Sequence, residues 1–373
     1  YLLAAAMIAV STVSRAADRV LLWGDTHLHT ANSPDAFFFD NENATPDVAY
    51  RYARGYPVVN ASTGVRIQID TPLDFLVVSD HAEALGLAPF IEEGNPDLLA
   101  TENGKRWYDM VNAGEGYEAF REYAASLLKG DPIKSPKMQR TVWDRQIDAA
   151  ERHNDPGVFS AIIGFEWSSL NTAKQPANLH RVVLFKDDGD KTGQIVPFSG
   201  YDSHNPEDLW AWMAEYEANT GGQLLAIPHN GNVSNGRMFE LTDFDGRPLD
   251  RDYAERRARF EVLQEIIQTK GNSETHPTLS PNDEIAGDLG IAGWDSGNLT
   301  MEDVPESPEM RPTMYVRAGL MRGLEQAEQL GVNPFKFGLI GGTDVHNSLT
   351  SIEEDNYFGK HPIQEPSEHR WNH

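Results

Sequence analysis

Seven short apolar runs punctuate the chain, at residues 19–23, 75–79, 160–165, 181–185, 223–227, 261–267 and 335–340, several of them bounded by glycine or proline. Runs of this length, with their share of β-branched residues, predict buried strands. Between them lie segments with readable helix signals. Thr45-Pro46 supplies a cap followed by proline at the first helical position, and Gly55 closes that helix. Ser135-Pro136 and Asn205-Pro206 repeat the signal, while periodic stretches over 117–129 and 315–330 stop at Gly130 and Gly331. Strands alternating with helices predict an α/β fold with a largely parallel sheet or barrel. Two stretches, 91–116 and 269 to about 312, read as loop-rich insertions, and the chain after His346 reads as a polar tail without a helix. No repeat or linker divides the sequence, so one barrel domain is expected over 17–373.

Composition narrows the partners. With 57 acidic against 31 basic residues the formal charge is −26, which argues against nucleic acid or an anionic membrane surface. The absence of cysteine leaves only nitrogen and oxygen donors for any metal. Residues 1–16 read as a signal peptide with its front missing: an apolar stretch from Leu2 to Val10, too short to span a bilayer, then Ser14 and Ala16 at the −3 and −1 positions of a cleavage site. The expectation is a periplasmic or secreted protein, without a stable membrane anchor once the signal is removed.

Candidate chemistry collects at the ends of the apolar runs. His27 and His29 stand in GDTHLHT, Asp80-His81 in FLVVSDHAE, Glu166 in AIIGFEW, His180 in NLHRVVLF, His229 in LLAIPHN, and Asp344 with His346 in FGLIGGTDVHN. Alternate residues on a strand point the same way, so each HxH or DxH pair can reach one metal. Adjacent Asp80 and His81 diverge, so one of them would ligate and Asp80 would orient a ligand. Glu166 follows a run where an unpaired carboxylate is expensive to bury, and its two oxygens can serve two cations, though a salt bridge to Arg181 would also satisfy it. Singly, His180 and His229 read equally well as core histidines; the recurrence of strand-end donors is what points to a polynuclear metal centre. His276, His361, His369 and His373 fall in polar segments and are expected in solvent. No serine elbow or phosphate loop is present.

This set of motifs, with WGDTHLHTANSPDAF, PLDFLVVSDHAEALG and LLAIPHNGNVSNG around it, resembles the PHP (polymerase and histidinol phosphatase) superfamily, and looks like a bacterial branch catalogued as a domain of unknown function. The resemblance implies a distorted seven-stranded (β/α) barrel with two or three divalent metal ions, commonly zinc, manganese or iron. It implies that His27, His29, Glu166 and Asp344 bind a first metal, that Glu166 bridges to a second held by His180 and His229, and that His81 and His346 bind a third. Asp35 stands where some members place a histidine for that third metal. His180 is the irregular transfer, because it precedes its strand. Members of the branch extend beyond the DxH motif, so the chain reads as truncated at both ends.

The expected activity is metal-dependent hydrolysis of a small phosphorylated substrate by a hydroxide shared between two cations, with Glu166, Asp344 and His229 central to it. Asp25 and Asp80 would support the ligands, and Arg181, Lys174 and Lys270 are candidate phosphate contacts. Two alternatives stay open. One is an amidohydrolase-like enzyme cleaving C–N or C–O bonds, and the other is a non-catalytic metal-binding module that keeps the fold.

Overall fold

The computed structural model describes residues 20–127, 129–169, 177–288 and 307–366. The expected signal peptide, Lys174, His369 and His373 lie outside them. Six of the seven apolar runs give strands and the first leads into one: β1 (Gly24–Asp25), β2 (Phe75–Val78), β3 (Ser160–Trp167), β4 (Arg181–Phe185), β5 (Leu224–Pro228), β6 (Leu263–Gln268) and β7 (Gly338–Gly341). The fold is mixed α/β. Strands β1 to β5 form one sheet in chain order, and β7, β6 and the short Gly271–Asn272 strand form another. Among the described residues, then, the ladders of these seven strands divide between two sheets, with a separate hairpin of Val58–Val59 and Arg66–Ile67, and do not close a single seven-stranded ring.

Strand direction corrects the expectation of a largely parallel sheet. β1, β2 and β3 are parallel neighbours, as are β6 and β7, but β4 runs antiparallel to both β3 and β5. The two sheets nonetheless enclose one apolar plug. Val77, Val182 and Ile227 are fully buried in it, and Ile162, Leu184, Leu225, Leu263 and Ile340 pack against them, so β2 through β7 all contribute. β1 starts later than its apolar run, for Val20–Trp23 is exposed and only Gly24 and Asp25 pair with Phe75 and Leu76. Gly24 permits that approach: a Cβ there would meet the Phe75 ring and carbonyl.

Helices surround the sheets and begin where the caps predict. Pro46–Ala53, Pro136–His153 and Pro206–Thr220 each start at proline, with Ser135 and Asn205 accepting backbone bonds from Met138 and Glu207. Val316–Leu330 ends at Gly331, whose φ of 77° suits glycine. The stretch 91–116 is not a loop. It holds the helices Pro96–Leu99 and Glu102–Asn112, capped by the side chains of Asn95 and Thr101 and anchored by buried Leu98 and Trp107. Among its described residues the tail after His346 has the short turns Glu354–Asn356 and Pro362–Gln364, and it covers the site. His361 is buried there against His346, and His276 is buried against Tyr315, so neither is solvated as expected.

Candidate metal centre

Every strand-end donor converges on one place. His27 and His29 follow β1, His81 follows β2, Glu166 sits at the end of β3, His229 follows β5, and Asp344 and His346 follow β7. The irregularity of His180 resolves through the reversal of β4: because that strand is antiparallel, its start lies beside the ends of β3 and β5. His27, His29, Glu166, His229, Asp344 and His346 are all at most 1% exposed, which for charged groups demands strong mutual compensation.

Glu166 is the hub. Its Oε2 lies 3.1 Å from His27 Nε2 and 2.9 Å from His29 Nε2, and Asp344 Oδ1 stands 3.3 and 3.4 Å from the same nitrogens. Oε1 lies 2.6 Å from His180 Nδ1 and 2.9 Å from His229 Nε2. Donors on a common metal at bonds of about 2.1 Å are spaced by ~3.0 Å in an octahedron and ~3.4 Å in a tetrahedron. The first group matches that spacing. Moreover, His29 Nε2 and Asp344 Oδ1 are buried without any hydrogen bond among the described residues. These two atoms, 3.4 Å apart and without a hydrogen bond, converge with Glu166 Oε2 and the His27 Nε2 bonded to it on a common point, as ligands of an ion do. The residues therefore fit a metal, and the all-nitrogen-and-oxygen set suits divalent cations. A third group joins Asp35 Oδ2 to His81 Nε2 at 3.2 Å and His346 Nε2 at 2.7 Å, with His29 alongside.

Partners behind the ligands fix their orientation. Glu265 Oε2 lies 2.9 Å from His27 Nδ1, while Ser33 Oγ and Ser168 Oγ each lie 2.8 Å from the Nδ1 of His29 and His81, leaving the three Nε2 atoms turned inward. Asp80 bonds no histidine directly, but it is hydrogen-bonded to Ser33, whose Oγ holds His29 Nδ1. It accepts bonds from Thr30 N and Oγ1 at 2.6 and 2.7 Å and so pins the loop after the HxH pair. Asp25 accepts from His27 N, Thr343 N and Thr350 Oγ1, tying the HxH strand to the DxH strand. Asp344 itself adopts a φ of 53°, a left-handed conformation uncommon for a side-chain-bearing residue and a mark of functional sites.

Burial sets the proton affinities. It pushes His29 down to about 4, His180 to about 3 and His229 to about 4, so these imidazoles are neutral and ready to coordinate. Burial also opposes charge on His27 and His81, but Glu265 and Glu166 for the first, and Glu166 and Asp35 for the second, outweigh it and raise each to about 9. Glu166 stays well below the usual carboxylate range because the surrounding histidines overcome its burial.

One expectation shifts. Arg181 faces away from the cluster: its Nε donates to Glu261 Oε1 at 3.0 Å, its guanidinium lies over Trp167, and it also bonds the Leu179 carbonyl. It is spent on a buried ion pair and is no phosphate contact in this arrangement. Lys270 does reach the site, paired directly with Asp344 Oδ2. Glu265 went unrecognised although it interrupts an apolar strand just as Glu166 does, which was its signal. Lys360, buried with Nζ 3.1 Å from Asp344 Oδ2, had none.

The chain belongs to the family described as a protein of unknown function (DUF3604), whose model matches residues 16–373. No curated protein matches it.

Proposed function

We propose that this member of the family is an exported metal-dependent hydrolase acting on phosphoesters, built on the distorted seven-stranded (β/α) barrel of PHP proteins. The observation that carries the reading is Glu166, one oxygen turned to His27 and His29 and the other to His180 and His229, as in a carboxylate shared by two cations. The apolar plug common to both sheets supports the barrel. His27, His29, Glu166 and Asp344 would hold one cation, Glu166, His180 and His229 a second, and Asp35, His81 and His346 a third. Bound divalent ions would supply activation of water and neutralisation of phosphoryl oxygens.

The protein's own contribution is placement. Glu265, Ser33 and Ser168 fix the ring orientations of His27, His29 and His81. Asp25 and Asp80 hold the loops that carry the ligands. Deep burial keeps bulk water from the donors and strengthens every charge interaction among them.

The test is metal content of the purified protein, followed by phosphomonoesters, phosphodiesters, phosphonate esters, carboxyl esters and amides with manganese or zinc. Metal-dependent P–O cleavage is expected. Turnover confined to C–N or C–O bonds would transfer the chain to the amidohydrolase-like alternative, and bound metal with no turnover to a binding module. Export rests on the Leu2–Val10 run and the Ser14/Ala16 pair; an unprocessed cytoplasmic product from the whole gene would refute it.

A further inference from the structure

A line of side-chain amides ends beside His180. It begins in the turn between β6 and the Gly271–Asn272 strand, where Lys270 N donates to Gln268 Oε1 at 2.7 Å. Gln268 Nε2 donates to Asn230 Oδ1 at 2.7 Å, and Asn230 Nδ2 donates to Asn178 Oδ1 at 3.1 Å. The last group, Asn178 Nδ2, is buried without a hydrogen bond among the described residues, on a residue only 1% exposed.

The polarity of this line is fixed at its first member. A backbone N–H can only donate, so Gln268 gives its oxygen to Lys270 and its NH2 group to Asn230, and each amide passes the same direction to the next. Asn178 is thereby left presenting N–H donors. Turning it over would set two NH2 groups against each other at Asn230. A buried donor with no acceptor is costly, and in a native site it calls for a partner.

The strand places that donor next to the cluster. Leu179 N donates to the Ser169 carbonyl and His229 N to the His180 carbonyl, which carries the registers of β4 with β3 and β5 back beyond Arg181. On this extended backbone Asn178 and His180 share a face, about 7 Å apart. His180 Nδ1 is turned to Glu166, and its Nε2 is also without a hydrogen bond. The way in lies alongside. The His180 ring is 5.9 Å from that of His81, and the side chains of His81 and Asp35 are 13% and 22% exposed, which makes this the open edge of an otherwise closed cluster.

We propose that Asn178 Nδ2 donates to a phosphoryl oxygen of the substrate at the His180 side of the centre, with Gln268 and Asn230 as positioning residues that set the direction of its amide. The inference rests on the phosphoesterase reading of the same centre. A donor at this point selects a substrate that offers an unprotonated oxygen there, and it does so without adding charge.

The experiment is calorimetry of inorganic phosphate with the metal-loaded full chain, in wild type, Asn178→Leu, Gln268→Glu and the double variant, with metal content determined for each. Asn178→Leu removes the donor at nearly constant volume. Gln268→Glu, at a partly exposed position, still accepts from Lys270 N but has no NH2 group for Asn230, so the line reverses and Asn178 presents its oxygen. Both single variants should keep their metal and bind phosphate about tenfold or more weakly. The double variant should be no weaker than the poorer single, because both act through one amide. KM for a nitrophenyl phosphomonoester should rise by a similar factor, about tenfold, with kcat less affected. An Asn178→Leu protein that keeps metal and binds phosphate as wild type does would overturn the donor while leaving the hydrolase reading intact. Loss of metal in that variant would also overturn it, by making Asn178 a support of His180. Unchanged binding in Gln268→Glu, or losses that multiply in the double variant, would overturn the directed line. Metal-loaded wild type that binds no phosphate and cleaves no phosphoester would overturn the hydrolase reading itself.

Discussion

Exchanging Glu166 for Gln tests the bridge at almost constant shape. The amide keeps the volume and one carbonyl oxygen, but its other arm becomes an NH2 group that can donate and cannot coordinate. In the wild type both oxygens face nitrogen pairs, at 2.6 and 2.9 Å on one side and 2.9 and 3.1 Å on the other. Whichever way the amide turns, one pair faces the NH2. The first position retains three further donors in His27, His29 and Asp344, whereas the second retains only His180 and His229. The amide oxygen should therefore serve one side, and bound metal should fall by about one equivalent.

That loss has a thermal signature. A ligand present at roughly a thousand times its Kd stabilises the native state by about 4 kcal/mol per site. At about 2 °C per kcal/mol for a chain of this size, two filled sites raise Tm by ~16 °C over the chelated protein and one by ~8 °C. The assay is elemental analysis of the dialysed protein with thermal unfolding in chelator and in excess zinc or manganese. A folded Glu166→Gln protein with wild-type stoichiometry and the full metal-induced shift would refute the bridge.

Further consequences are equally direct. Glu261 is held below the usual carboxylate range, its burial outweighed by Arg181 and Arg257, so Glu261→Gln should cost about 3–5 kcal/mol in denaturant unfolding while metal content is unchanged. The sign in pH follows: a depressed folded pKa stabilises above the unfolded value and the benefit is lost as pH falls, so wild type and variant should begin to converge as pH drops below about 4 and meet once it has passed the depressed pKa of folded Glu261. Gly342→Ala should impair metal binding, because the new Cβ would stand 2.8 Å from His27 Cβ and nearer still to Glu265 Oε2; unchanged metal affinity in calorimetry would show the loop gives way. His229→Ala and Asp344→Ala should each remove most turnover on the best substrate, and the double variant should be little slower than the poorer single one; rate losses that simply multiply would argue against one site.

The parts of this fold legible in sequence are those set by local pattern. Apolar runs of β-branched residues predicted six of the strands and ended just short of the seventh, β1, and proline after a capping residue marked the starts of three long helices. Strand direction was not legible, since whether β4 pairs parallel or antiparallel depends on how 168–180 returns the chain. That one reversal is what made His180 look misplaced. The helices Pro96–Leu99 and Glu102–Asn112 were hidden because their faces are mostly polar, with a few buried anchors such as Leu98 and Trp107. In the site, strand-end donors announced themselves by standing next to apolar runs. Lys360 and His361 stand in a polar tail, and only the folding of that tail onto Asp344 and His346 brings them inside.

The position of the donors also bears on how the two ends of the sheet system are joined. β1 and β7 belong to different ladders, and what connects their extensions is a single parallel bridge between Leu28 and Val345, with His29 N donating to the Val345 carbonyl and Asp344 N to the His27 carbonyl. His27 and His29 flank Leu28, and Asp344 and His346 flank Val345. The four side chains that would grip cations are thus the immediate neighbours of the one backbone bridge that the described residues show across that seam. Without a cation, Glu166, Asp344 and the histidines are polar groups held in low dielectric by one another, a costly arrangement placed where backbone pairing is thinnest. With cations bound, the same groups would cross-link the two strands from both sides. On the proposed function, metal binding and closure of this seam are one event, and the strain at Asp344 is supported by the ligands it serves.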